Sequence, residues 1–289
     1  MNAQEHLDRA LEAALRSIPR SGFKSRLWTK LERKIAVIRT ADIPEGFHTL
    51  TPYLLAPDAE RMLTFYTAAF GAEETYRTET PGGMHTMFRI GDSMLMMGSP
   101  VENAPSGLHL YVDDLEATYQ RALELGAASI YPITQAPFGE RFAVVTDPAG
   151  TLWIVAERST STLRHPEMGT VTPYVHPAGG AAAFIEFLKE AFGADQLERH
   201  DEAGRGVAHC KMRVGASILE LGDPEQPGDA RPSMFYLYVG DADTVYKQAL
   251  EAGATSIHAP AMQTYGDYVA AFTDPAGNRW FAADYGVES

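Results

Sequence analysis

The sequence predicts an α+β chain of four strand–helix–three-strand units set out as two tandem copies, and two observations predict it. The first is an ordered internal repeat. Thr51-Pro52-Tyr53 returns as Thr172-Pro173-Tyr174, and Phe70-Gly71-Ala72 returns as Phe192-Gly193-Ala194. Gly126-Ala127-Ala128-Ser129-Ile130 returns as Gly253-Ala254-Thr255-Ser256-Ile257, and Asp147-Pro148-Ala149-Gly150 with Trp153 returns as Asp274-Pro275-Ala276-Gly277 with Trp280. The second is a periodicity that switches, within each copy, from alternation to helical spacing and back, twice.

Residues 1–40 stand outside the repeat. Leu7, Leu11, Ala14, Leu15 and Ile18 form one apolar stripe, and Phe23, Leu27, Trp28, Leu31 and Ile35 form another, with a break over 19–22. Both stripes fit an amphipathic helical segment, docked on its own body or on a partner. The first repeated domain, residues 48–158, opens with a strand at Thr51–Leu55. Helix Ala59–Phe70 follows, stopped by Gly71. Strands are expected around Met84–Ile90, Ser93–Met97, Leu108–Val112 and Phe142–Thr146, with a second helix at Leu115–Leu125 stopped by Gly126. Ser159–Gly169 is polar and aperiodic and reads as a linker. The second domain, residues 170–285, repeats the order with helices at Ala181–Phe192 and Ala242–Glu251.

Composition bounds the function. The 289 residues are 45% hydrophobic and 21% charged, ordinary for a soluble globular chain of two domains. Net charge is −14, and residues 1–40 hold nine Lys/Arg against four Asp/Glu, so the acid excess lies in the repeats. So acidic a body argues against a nucleic-acid partner, which needs a basic face. No run of about 18 apolar residues suggests a membrane span, and the polar Met1–Arg9 lacks the apolar core of a secretory leader. One cysteine, Cys210, excludes an intrachain disulfide framework and a cysteine-rich zinc site. A cytoplasmic location is expected.

The stretches TPYLLAPDAERMLTFYTAAFGAE, RIGDSMLMMG, RVGASILELG, HLYVDDLEA, FGER and YGDY, and DPAG followed by tryptophan, resemble the glyoxalase/bleomycin-resistance/dioxygenase (vicinal oxygen chelate) superfamily. They are most similar to its PhnB-like branch, over residues 48–158 and 170–285. The resemblance implies that each domain curls two βαβββ units into a U-shaped mixed sheet around a pocket. It does not fix the chemistry, because the fold hosts isomerases, dioxygenases, thiol transferases and metal-free drug-binding proteins. In the enzymatic branches His and Glu or Gln hold a divalent ion from four places in the concave face. The matching residues are Thr51, Met96, Gly107 and Ile154 in the first copy, and Thr172, Glu220, Met234 and Phe281 in the second. Hard cations need several oxygen or nitrogen ligands, and one carboxylate, Glu220, cannot hold an ion unaided. The expectation is no metal and no cofactor.

Strand alternation selects the pocket side. It places Tyr53, and in the second copy Tyr174 and His176, on one parity of the opening strands. His109 and Tyr111 share it with Tyr236 and Tyr238, and His85 and Arg89 match His209 and Arg213. Arg141 of FGER and Tyr268 of YGDY are added from the resemblance, as is Glu220. The expected ligand pocket is therefore Tyr53, His85, Arg89, His109, Tyr111, Arg141, Tyr174, His176, His209, Arg213, Glu220, Tyr236 and Tyr268, with an anion preferred beside Arg141. No catalytic residue is assigned. Cys210 falls on the apolar parity and reads as a core thiol, Met94, Met96 and Met97 read as core, and Trp153 and Trp280 fall on the helix-facing side. These features predict a metal-free small-molecule-binding protein, monomeric or homodimeric. Two alternatives stand beside it: a metal-dependent lyase, isomerase or dioxygenase-type enzyme, and a regulatory protein acting through residues 1–40.

Overall fold

The computed structural model describes residues 43–80, 83–99, 106–136, 139–161, 164–226 and 229–286, so the predicted N-terminal helical segment lies outside the described residues. Four βαβββ units follow in chain order. The first is β1 (Leu50–Leu55), α1 (Ala59–Phe70), β2 (Glu73–Thr80), β3 (Gly83–Ile90) and β4 (Ser93–Gly98). The second is β5 (Gly107–Val112), α2 (Leu115–Glu124), β6 (Ala128–Gln135), β7 (Arg141–Thr146) and β8 (Leu152–Glu157). The third is β9 (Val171–Val175), α3 (Ala181–Phe192), β10 (Asp195–Glu202), β11 (Gly206–Val214) and β12 (Ser217–Leu221). The fourth is β13 (Met234–Tyr238), α4 (Ala242–Glu251), β14 (Thr255–Met262), β15 (Tyr268–Thr273) and β16 (Arg279–Asp284).

Local chemistry sets the helix ends. The Asp58, Asp114 and Asp241 carboxylates accept backbone N–H bonds from Arg61, Ala117 and Thr244 at the starts of α1, α2 and α4. Gly71 and Gly193 close α1 and α3 at φ 71° and 65°, in the left-handed region. The apolar stripe of each helix packs on one sheet face. Tyr66, Phe88 and Trp153 meet there in one core, and Phe192, Phe272 and Trp280 meet in the other.

The units do not pair within their own copy. One eight-stranded sheet runs β14-β15-β16-β13-β1-β4-β3-β2 and the other β10-β11-β12-β9-β5-β8-β7-β6. Each U-shaped sheet therefore joins one unit from each copy, where the resemblance implied two units of the same copy. The seams are short antiparallel pairs, with Thr51 opposite Tyr236 and His109 opposite Thr172. Units one and four, at the chain ends, form the first cup. Units two and three, joined by the linker, form the second.

Two hairpin turns lock the sheets together reciprocally. The turn after β3 gives Asp92 and Ser93, which accept N–H bonds from Thr170 and Val171 at the start of β9. The turn after β11 gives Ser217, which accepts from Leu50 N–H, while Thr49 Oγ1 accepts from Ala216 N–H.

Candidate functional site

Strand parity places equivalent residues in the two cups, and sequence divergence makes the cups chemically different. The first holds Tyr53, His85, Met87, Met96, Tyr236, Tyr238, Asp267 and Phe281 where the second holds Tyr174, His209, Lys211, Glu220, His109, Tyr111, Glu140 and Ile154.

The first cup encloses a cavity of about 660 Å³. Its walls are aromatic rings and thioethers. Tyr236 and Tyr238 meet at 5.1 Å between centroids, Tyr236 stacks against Phe281 at 6.3 Å, and Phe47 meets Tyr238 edge-on at 5.6 Å. Besides the hydroxyls of Thr78, Thr80 and Ser99, two polar pairs interrupt this lining. Tyr53 Oη lies 2.9 Å from His85 Nδ1, with the rings stacked. Burial holds the His85 imidazole below its ordinary value, and burial with the nearby Tyr265 phenol pushes Tyr53 up to about 12. Across the cup, Tyr236 Oη donates to Asp267 Oδ2 at 2.6 Å. Burial raises the Asp267 carboxyl, and the hydrogen bond from Tyr236 opposes that rise. Both partners of this pair are buried, and Tyr265 beside them is 63% exposed at the mouth.

The second cup is crowded by its own side chains, with Glu220, His109, Tyr111 and Lys211 buried in it. Glu220 is buried and accepts from His109 Nδ1 at 2.8 Å and His209 Nε2 at 3.1 Å. Burial opposes the Glu220 charge, but His109 and His209 outweigh it and hold the carboxyl well below the usual range. With Nδ1 turned to the carboxylate, His109 keeps Nε2 buried with no hydrogen-bond partner among the described residues, and its ring stacks on Tyr111 at 4.3 Å. Lys211, itself buried, reaches Glu198 at 3.2 Å. The linker closes the opening: Arg164 lies over the Tyr111 ring at 5.3 Å, Met168 packs with Tyr111, Ala156 and Ile218, and Ser161 donates to Glu140.

The predicted site residues therefore separate into four groups. Tyr53, His85 and Tyr236 line the open cup. His109, Tyr111, Tyr174, His209 and Glu220 belong to the filled one, with His176 beside Tyr174 at 5.1 Å and held down to about 4 by burial and by the Arg205 and Arg231 charges. Arg89 and Arg213 end in ion pairs with Glu73 and Glu167. Arg141 and Tyr268 line neither cup. Their strands direct Phe142 and Val269 inward, so both residues turn to the helices, where Arg141 pairs with Glu116 and Glu157 and Tyr268 donates to Asp243. The asymmetry expected from Arg141 is thus replaced by one set by their neighbours, Glu140 and Asp267. Those two acids, Tyr265 and the linker plug were not anticipated. The Gly-acid pair before β7 and β15, present in FGER and YGDY alike, was the available signal for the acids.

The sequence model of the Glyoxalase/Bleomycin resistance protein/Dioxygenase superfamily matches residues 46–155 and 172–281. The chain belongs to that superfamily. An uncharacterized protein of Mycobacterium bovis is 32% identical over 124 residues, 37% of this chain and 82% of that protein. A Mycobacterium bovis protein described as a putative glyoxylase is 30% identical over 106 residues, 35% of this chain and 41% of that protein. Among solved structures, glyoxalase I from Zea mays superposes with a TM-score of 0.63 at 15% identity, covering 81% of this chain and 92% of that one. That likeness supports the fold alone.

The family's metal positions sort by cup rather than by copy. The open cup receives Thr51, Met96, Met234 and Phe281, a hydroxyl, two thioethers and a phenyl ring, which do not fit a hard divalent ion. The filled cup receives Thr172, Glu220, Gly107 and Ile154, with one carboxylate already committed to two imidazoles. Among the described residues no group of three or more His, Cys, Asp or Glu stands where it could hold a metal ion. No helix among them is long and apolar enough to cross a membrane.

Proposed function

We propose that the protein binds a small organic molecule in the open cup without a metal ion, as the bleomycin-resistance type of this superfamily implies. The observation that carries this reading is the 660 Å³ cavity walled by Tyr53, Met87, Met96, Tyr236, Tyr238 and Phe281. Such a lining buries an apolar ligand through area and ring stacking, while the Tyr53–His85 and Tyr236–Asp267 pairs orient its polar groups. The volume lies within the usual range for drug-sized ligands, roughly 300–1,000 Å³. The filled cup serves as a structural counterpart in which the Glu220 carboxylate is held by His109 and His209. Monomeric use of the chain follows from the duplication, since both cups are completed within it.

The test combines metal analysis with a ligand screen. Purified protein is expected to hold less than about 0.1 equivalent of Zn, Mn, Fe or Ni, because the four family ligand positions of the open cup, Thr51, Met96, Met234 and Phe281, carry neither imidazole nor carboxylate. Aromatic amphiphiles should raise its melting temperature, by the equivalent of about 2.7 kcal/mol at a hundredfold excess over Kd. Met87→Trp, which fills the cavity from a half-buried position, should remove that stabilisation. Stoichiometric metal whose chelation destabilises the protein, or ligand stabilisation unchanged in Met87→Trp, overturns the reading.

A further inference from the structure

The duplication supplies an internal comparison between two equivalent aromatic-and-acid corners. In the filled cup the corner is Tyr111 with Glu140, and the chain brings a cation to it. Arg164 of the linker lies 5.3 Å from the Tyr111 ring centroid, and the charges of both Arg164 and Glu140 act on the Tyr111 phenol. A guanidinium over a tyrosine face beside a buried acid is an attractive arrangement on two counts, the ring quadrupole and the carboxylate charge.

In the open cup the corner is Tyr238 with Asp267. The acid is again within reach of the aromatic groups, since Tyr236 donates to it and its charge acts on Tyr238 and Tyr265. The linker between the two copies does not reach this cup, because it joins units two and three, which form the other sheet. Among the described residues lining the cavity there is no Lys and no Arg, and His85 is engaged with Tyr53. The Tyr236 hydroxyl is the one hydrogen-bond donor to the Asp267 side chain among the described residues, although an ionised carboxylate has acceptor capacity for about four bonds. Asp147 and Asp274, the other buried aspartates, are by contrast each supplied with several donors. The aromatic faces and the under-supplied acid together leave a negative corner with room beside it.

We propose that the open cup takes an organic cation, a protonated or quaternary amine carried on an apolar body, with the cationic head between Asp267 and the faces of Tyr236, Tyr238 and Tyr265. This rests on the reading that the open cup is a ligand site, and it names the class of ligand. The apolar body occupies the Met87, Met96 and Phe281 side of the cavity. The cation takes the part in this cup that Arg164 takes in the other. An anionic ligand is disfavoured, since it would meet a carboxylate and ring faces of negative potential, with no Lys or Arg side chain among the described residues of the lining.

The test uses the full-length protein and three probes of one shape: phenyltrimethylammonium, its uncharged isostere tert-butylbenzene, and benzenesulfonate. Affinities are read by titration calorimetry or ligand-observed NMR. The ammonium is expected to bind about tenfold or more tighter than tert-butylbenzene, and benzenesulfonate weakest. Asp267→Asn keeps an acceptor for the Tyr236 hydroxyl and should erase most of that preference while leaving tert-butylbenzene binding unchanged. Tyr265→Leu, at an exposed position where folding is not at stake, should weaken the ammonium severalfold and spare the neutral probe. Equal binding of ammonium and isostere, a preference for the sulfonate, or an ammonium preference intact in Asp267→Asn overturns the cation inference and leaves the ligand-site reading standing. Failure of all three probes to bind the unmodified protein overturns both.

Discussion

Asp147 and Asp274 show why the Asp-Pro-Ala-Gly stretch recurs with a tryptophan behind it. Each carboxylate caps its own turn through Oδ1, accepting N–H bonds from Ala149 and Thr151 or from Ala276 and Asn278. Through Oδ2 each accepts the indole N–H of Trp153 or Trp280, at 2.9 and 2.8 Å, and these rings fill the helix-facing cores. The motif is therefore an anchor of the fold, and its presence in both copies carries no chemistry. Glu220 is a different kind of buried acid, since its partners are two imidazoles from different units. Its carboxyl lies below its ordinary value of 4.5 in the folded state, so the stability it contributes is present above that value and is lost as pH falls through the folded pKa. Glu220→Gln should cost about 1.5–3 kcal/mol at neutral pH, the range for hydrogen bonds to charged groups. The gap between the two proteins should narrow as pH drops below about 4.5. Urea unfolding at a series of pH values measures this. A gap that is constant with pH would show that the Glu220 charge contributes nothing to the pair.

The sheet-locking hairpins depend on a close approach of one turn to the opposite sheet. A Cβ at Gly215, whose φ is 58°, would lie 2.6 Å from Thr49 Cγ2 on the opposite sheet. One at Gly71, φ 71°, would meet nothing within 4 Å. Ala at either position bears the left-handed backbone cost, about 1–2 kcal/mol. Gly215→Ala should cost about 1–3 kcal/mol more, because the docked turn must shift. Equal losses in chemical denaturation would mean that the close approach between sheets contributes nothing. Elements of this kind were largely legible in the sequence. The boundaries of α1, α3 and α4 follow from their apolar stripes and stops, and the strand cores follow from alternation. Parity also separates Met87 and His85, which face the cavity, from Phe88 and Thr86 behind them. The same parity, applied from Phe142, already turns Arg141 outward. Reading Arg141 and Tyr268 by motif instead of by alternation is what placed them in a pocket. Asp267 and Tyr265 escaped because they lie in the loop before β15, where no period constrains a side chain's direction.

For the whole molecule, the pairing of units was the part that local pattern could not specify. β1 and β9 open on the same Thr-Pro-Tyr or Val-Thr-Pro-Tyr run, and β5 and β13 are both short, apolar and aromatic. A seam between β1 and β5 and one between β1 and β13 look alike to any argument from periodicity. The choice is made by long-range contacts: Leu50 against Leu237, Thr170 against Asp92, Thr49 against Ser217's turn. It decides what lines the open cavity, because it unites the Met-rich strands of unit one with the tyrosine-rich strands of unit four. It also separates Glu220 from the open cavity. Interleaving makes each copy incomplete alone, since cutting between the copies exposes β1 and β5 on one side and β9 and β13 on the other as unpaired central edges. Residues 1–161 and 162–289 produced as two separate chains should therefore associate into a one-to-one complex that elutes at the size of the intact protein and restores ligand stabilisation in the open cup. Each chain alone should self-associate or aggregate, because its seam strands bury apolar surface only against a partner. Size-exclusion chromatography with light scattering, run on the two chains apart and mixed, distinguishes the outcomes. Two well-folded monomers that do not combine would mean that each copy closes a cup on itself, and the open cavity would then have to be sought within a single copy.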